Sequence, residues 1–196
     1  MTRRIATAGL FIPLLFSAVL AHAAEEKRGF YLDVGLGAGS ARYGDEVDDA
    51  LDLLEDNDFD RTTLGLDLVI GGAVLPNLYV VGSVSGFADR LDNDDENLQL
   101  NTYLFGVGVR YYPLPSKKHL QLGADVGLAN MVLDTSFDEV GDYTSDNGTG
   151  LKLSVAWDFD STLRGPAFML GVQFMTASIE DVDFTGASLF ARFLLK

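Results

Sequence analysis

The chain is predicted to be all-β, an eight-stranded antiparallel transmembrane barrel in up-and-down meander order. Three observations predict it: eight runs of alternating apolar residues, an alternation of long and short connections, and a second strand face rich in glycine and charge. The run at 101–112 is the clearest. Tyr103, Phe105, Val107, Val109 and Tyr111 fall on one side, and Thr102, Leu104, Gly106, Gly108 and Arg110 on the other. A period of two defines a strand with two unlike faces. Glycine and isolated charges suit the cramped lumen of a small barrel, so the apolar face is expected to point outward into lipid.

In chain order the strands are predicted at 29–42, 62–75, 78–88, 98–112, 119–133, 149–159, 167–178 and 184–195. Long connections at 43–61, 89–97 and 134–148, with the smaller 179–183, alternate with short ones at Pro76-Asn77, Pro113 to Lys118 and Asp160 to Pro166. Long loops outside and short periplasmic turns are the rule for such barrels, and both termini on one side require an even strand count. Within the first long loop Val47, Ala50, Leu51 and Leu54 recur at helical spacing, which allows a short amphipathic helix above the barrel; a solvated loop is the alternative.

Ahead of the strands, residues 1–23 read as a secretory signal. Arg3 and Arg4 form the basic start, Leu10 to Leu20 the apolar stretch, and Ala21-His22-Ala23 the cleavage-site pattern. The apolar stretch is too short for a spanning anchor. The expected mature domain is 24–196, placed in a bacterial outer membrane after export and cleavage. The chain holds no cysteine, which excludes disulfides, thiolate chemistry and a lipidated N-terminal Cys.

Without the signal, 12 Lys+Arg face 29 Asp+Glu, because Arg3 and Arg4 leave and no acid does. Such a balance excludes nucleic acid as a partner. The 47% of hydrophobic residues, placed in regular runs, excludes disorder. Acids crowd the long connections, from Asp45 to Asp60, Asp89 to Glu96 and Asp134 to Asp146, whereas Lys117, Lys118 and Arg164 sit on short turns. Phe30, Tyr111, Tyr112, Trp157, Phe159, Phe168 and Phe193 cluster at strand ends and read as an interfacial girdle near the periplasmic rim.

The segments Phe30 to Gly37, Gly106 to Tyr112 and Gly123 to Gly127 resemble the small eight-stranded outer-membrane barrels of the OmpA/OmpX type. The resemblance covers essentially the whole mature chain as a pattern rather than as a signature. It implies a monomer held in outer-membrane lipid and lipopolysaccharide. Members usually end on an aromatic residue; here Phe193 stands three residues short of the terminal Lys196. The peptidoglycan-binding domain that some relatives carry is not expected.

Barrels of this shape include lipid A-modifying enzymes, which need a nucleophile beside a base. His119, the one mature histidine, lies just after a short turn, at the wrong end for outer-leaflet lipid, with Ser116 as its nearest serine in sequence. No catalytic residue and no cofactor are assigned. For metals, Asp56, Asp58 and Asp60, and Asp92, Asp94 and Asp95, offer clustered oxygen ligands suited to hard cations. Arg61 and Asn97 replace the turn glycine of a calcium loop. Asp181 to Gly186 has the glycine, but Arg192 stands where the closing Glu belongs. Solvated charge runs or loosely bound divalent cations both fit.

On the lumen face Asp33, Asp67 and Asp125 are set against Arg110, Lys152 and Arg192, and buried charges must pair. Asp33 and Arg192 are expected at similar heights across the closing seam. A filled interior gives a structural or surface-interaction protein without catalysis; a narrow, low-conductance path for ions or small solutes is the alternative. A soluble, ligand-holding barrel would need the opposite arrangement of faces.

Overall fold

The computed structural model describes residues 29–56, 59–93, 96–114, 119–135, 143–159 and 166–195. Its strands are β1 (Phe30–Arg42), β2 (Asp60–Leu75), β3 (Leu78–Asp92), β4 (Asn97–Tyr111), β5 (Leu120–Thr135), β6 (Tyr143–Thr144), β7 (Gly148–Asp158), β8 (Pro166–Ile179) and β9 (Val182–Leu195). One helix, α1 (Asp45–Glu55), joins β1 to β2. Each long strand pairs antiparallel with its sequence neighbours. β4–β5 and β1–β9 pairing closes the ring.

The ring has eight staves, because β6 and β7 are two pieces of one. Both pair with β5, but Val132 faces Thr144 whereas Ala129 faces Gly148, a slip of one residue that bulges the strand at 145–147. Ser145 repairs the break: its amide donates to the Met131 carbonyl, and its Oγ accepts from the Met131 amide at 2.8 Å.

The strands are longer than the alternation suggested. β3 runs to Asp92 and β4 starts at Asn97, so the connection expected at 89–97 shrinks to 93–96. That expected at 179–183 becomes a two-residue turn, Glu180-Asp181, between the paired Ile179 and Val182. Pairing continues because the inward side stays apolar beyond the lipid-facing stretch, with Leu91, Leu100 and Ile179 all buried. Asp89, expected in a loop, is in β3 and fully buried.

Outward positions form the apolar belt: Val34, Leu36, Leu66, Phe105, Val126 and Leu189 are all exposed. Phe30, Tyr111, Trp157, Phe159, Phe168 and Phe193 lie on that surface near the end where β1 begins and β9 finishes. Tyr112 is the exception. It turns inward, is buried, and receives a hydrogen bond from Gln121 at 2.8 Å, because one residue further along the chain reverses the face.

Of the two readings open for the first long connection, the helix is the one that forms, as α1. Asp45, Glu46 and Asp48 fill its first turn, where negative charge suits the helix dipole. Gly44 (φ 85°) makes the turn out of β1, and Leu51 drops into the barrel mouth. Among the described residues no helix is long and apolar enough to cross a membrane; here the strands would do so.

Candidate functional site: the filled lumen and its lid

Three layers fill the barrel. At the α1 end Tyr43, Phe87, Leu91, Leu104, Met175 and Phe184 pack together, with Leu51 above them and Val47 and Leu54 beside it. At the other end Tyr31, Tyr79, Tyr112, Met169, Phe190 and Leu194 form a second cluster. Between the two lies a belt of charge.

The belt brings together the six lumen charges that the sequence predicts. Lys152 Nζ lies 2.6 Å from Asp67 Oδ1 and 3.4 Å from Asp125 Oδ2, and it donates to Ser85 Oγ. Arg110 donates from NH1 to Asp125 at 3.0 Å. Arg192 NH2 lies 2.6 Å from Asp67 Oδ2, whereas its NH1 stands 3.5 Å from Asp33 Oδ2. The guanidinium of Arg192 also sits 3.8 Å over the Phe190 ring. All six side chains are essentially buried. Three acids against three bases leave the belt neutral, which lowers the cost of holding charge away from water.

Glycine makes the room. A Cβ on Gly35 would stand 2.8 Å from Arg192 Cγ, and one on Gly108 would stand 2.5 Å from Asp125 Oδ1. Each glycine is the cross-strand partner of the side chain it makes room for, Gly35 of Arg192 and Gly108 of Asp125, so those side chains lie over bare backbone of the neighbouring strand.

Several partners carried no motif: Ser83 and Ser85 on β3, Gln173 on β8, and a ladder at the terminal end. There Tyr31 donates to Asp33 at 3.1 Å, and Gln121 Nε2 donates to both Tyr31 and Tyr112 hydroxyls. Inward parity was the available signal, since each is a polar residue at a lumen position of an alternating run.

A second charged group fastens the lid. Arg61 Nε and NH2 donate to Asp89, the latter at 2.7 Å, while NH1 lies 3.6 Å from Glu55 on α1. NH2 also donates to the Ala41 carbonyl at 2.9 Å, and Thr63 donates to Asp89 at 2.7 Å. The Tyr43 amide donates to Asp48 Oδ1 at 2.9 Å. In the sequence, Arg61 stands out only as a misfit in a calcium loop.

Three of the six metal candidates fall among the described residues. Asp56 caps α1, and Asp60 faces Asp92 across the β2–β3 ladder, where Asp92 lies 3.4 Å from Arg90. Asp58, Asp94 and Asp95 lie outside the described residues. Among the described residues no group of three or more His, Cys, Asp or Glu is arranged to hold a metal ion. His119 stacks on Trp157 with ring centroids 5.2 Å apart, and its Nδ1 lies 2.7 Å from the Asp158 carbonyl; Ser116 lies outside the described residues.

A closed meander of eight antiparallel staves, apolar outside and ion-paired inside, defines the class of small outer-membrane barrels. Residues 9–191 match the family described as outer membrane protein beta-barrel domain, and the chain belongs to it. That membership places the protein in the outer membrane. Among solved structures, Neisserial surface protein A is similar at 15% identity and a TM-score of 0.60, over 86% of this chain and 97% of that one. Ail, the attachment invasion locus protein of Yersinia pestis, solved with the heparin analogue sucrose octasulfate, is similar at 12% identity and a TM-score of 0.56, over 86% and 99%. At such identities the likeness is one of fold. No curated protein matches the chain in sequence.

Proposed function

We propose that this protein is a non-catalytic, monomeric outer-membrane barrel whose acidic α1 end faces outward and serves surface interaction. Its signal, residues 1–23, directs export, and 24–196 remains in outer-membrane lipid beside lipopolysaccharide. The observation that carries the reading is the filled lumen. A charged belt between two apolar layers leaves the interior paired and packed, so the variable chemistry of the molecule sits on α1 and the connections around it. The same filling argues against the narrow channel, which would need a wetted path through both apolar layers. Divalent cations loosely held between the acidic connections and lipopolysaccharide phosphates would relieve their mutual repulsion.

The absence of cysteine makes the orientation testable. Leu53→Cys on α1 should react with a bulky, membrane-impermeant maleimide on intact cells. Leu114→Cys, past the end of β4, should react only after lysis. The opposite labelling would overturn the outward placement of α1.

A further inference from the structure

The β1–β2 ladder stops at Ala38 and Leu64, although β1 continues to Arg42 and β2 begins at Asp60. Both strands keep their other neighbours over those residues. β1 stays paired with β9 up to Arg42–Thr185, and β2 with β3 from Asp60–Asp92. The barrel wall is therefore whole on either side of a seam that opens at its α1 end.

The parity of the ladder says what the seam offers. In an antiparallel strand the N–H and C=O of one residue point the same way, and successive residues alternate between neighbours. Ahead of β1 the Gly29 carbonyl accepts from Ala73 on β2 at 3.1 Å, so odd-numbered residues of β1 address β2. Gly39 and Ala41 on one lip, and Thr63 and Arg61 on the other, thus turn their peptide groups into the opening. A side chain stands in for one ladder bond, with Arg61 NH2 donating to the Ala41 carbonyl at 2.9 Å.

A cavity of about 570 Å³ occupies the seam, and α1 lines it with Asp48, Asp52 and Glu55. Arg61 is engaged with the buried Asp89, which leaves Arg42 as the other base along this cavity and the lining acidic on balance. The seam also begins where the lipid-facing apolar positions end. Leu36, Ala38 and Leu64 are exposed below it, and the next outward residues are Ser40, Arg42, Thr62 and Asp60. It stands above the hydrocarbon, within reach of the medium.

Open strand edges are templates for an added strand. Two facing lips of four residues each match a short extended segment of roughly 13 Å, and the acidic lining selects its sign. We propose that the β1–β2 seam is the docking site for an extended polypeptide segment with basic side chains, added as a strand between the two lips. The proposal rests on the surface-interaction reading and names its partner class.

The probe is an end-blocked eight-residue peptide of alternating lysine and valine, added to the folded protein in lipid nanodiscs. Amide exchange at Gly39, Ala41, Arg61 and Thr63 should slow at least tenfold, and an alternating glutamate–valine peptide should have no effect. In a Ser40→Cys, Thr62→Cys double variant, a disulfide across the seam should abolish peptide binding and reduction should restore it. Binding that ignores peptide charge, that leaves those amides unchanged, or that survives the disulfide overturns the proposal. Magnesium at matched ionic strength reproducing the slowing would also overturn it, since simple charge neutralisation would then suffice. The maleimide experiment on α1 is independent, so outward labelling without peptide binding sinks the seam alone.

Discussion

Arg192 pairs more closely with Asp67 than with Asp33. The contact to Asp67 is 2.6 Å and that to Asp33 is 3.5 Å, although β9 and β1 are direct neighbours and Asp67 lies one strand further on. Gly35 explains the geometry. It lies level with both Arg192 and Asp67, and its bare backbone lets the arginine stem pass across β1. Asp67 takes Lys152 as well and so joins two bases.

Removing Asp67 should therefore cost more than removing Asp33. Asp67→Asn takes the nearer carboxylate from two buried cations, leaving Lys152 only Asp125 and Arg192 only Asp33, and should destabilise by about 3–5 kcal/mol, the range for breaking a buried pair. Asp33→Asn, which keeps a polar partner for Tyr31, should cost about 1–2 kcal/mol. Urea unfolding of the barrel in micelles gives both values, and the reverse order would contradict the assignment of Asp67 as the hub.

The lid depends on Arg61. Arg61→Met leaves Asp89 buried without its cation and cuts the link to Glu55, which should cost about 3 kcal/mol. The loss should be local at first. Amides of α1 should exchange faster while those of the far halves of β4 and β5, Val107 to Tyr111 and Leu120 to Val126, remain protected; uniform loosening of the barrel would refute a lid-specific role.

Glu180 ties the β8–β9 turn to the connection before β7. It accepts from the Asp146 amide and the Tyr143 hydroxyl, each at 2.8 Å. Those two bonds, the backbone one foremost, hold its carboxyl below the usual range. Because the folded value is depressed, the contribution is present above the unfolded pKa and is lost as pH falls through the folded one. The residue also adopts φ 52°, unusual for a side chain other than glycine. Acidification should loosen Tyr143 and Asp146 before the barrel, and Glu180→Gln should produce that looseness at neutral pH. NMR order parameters across a titration check both; a Gln variant as rigid as the parent at neutral pH would dissociate the clamp from the carboxylate.

If divalent cations screen the acidic connections, magnesium or calcium at millimolar levels should reduce mobility there and leave barrel signals in place. Replacing Asp92, Asp94 and Asp95 with Asn should weaken the response without preventing folding. Calorimetry that registers no uptake would leave these residues as solvated charge.

The barrel was legible because alternation carries both its faces and its meander, as the 101–112 run did for β4. The six lumen charges were legible for the same reason: Asp33, Asp67, Asp125, Arg110, Lys152 and Arg192 each stand at an inward position. Their partners were not. Height within a tilted barrel depends on register, and the sequence carries no register for Arg192 to choose Asp67 over Asp33. Asp89 was misplaced because an acid among acids reads as loop, whereas the pairing of β3 with β4 runs past it. Tyr112 was misplaced by a single position, enough to move a ring from the lipid face to the lumen. The seam between β1 and β2 left no sequence signal, since it is an absence of pairing between two residue runs that both look like strand.

Single-channel recording of the purified, folded protein in planar bilayers tests the filled lumen most directly. With both apolar layers and the charged belt in place, the membrane should stay silent at all voltages that the bilayer tolerates. Discrete, reproducible conductance steps from properly folded protein, altered in size by Lys152→Met, would show an open path along the belt and contradict the account.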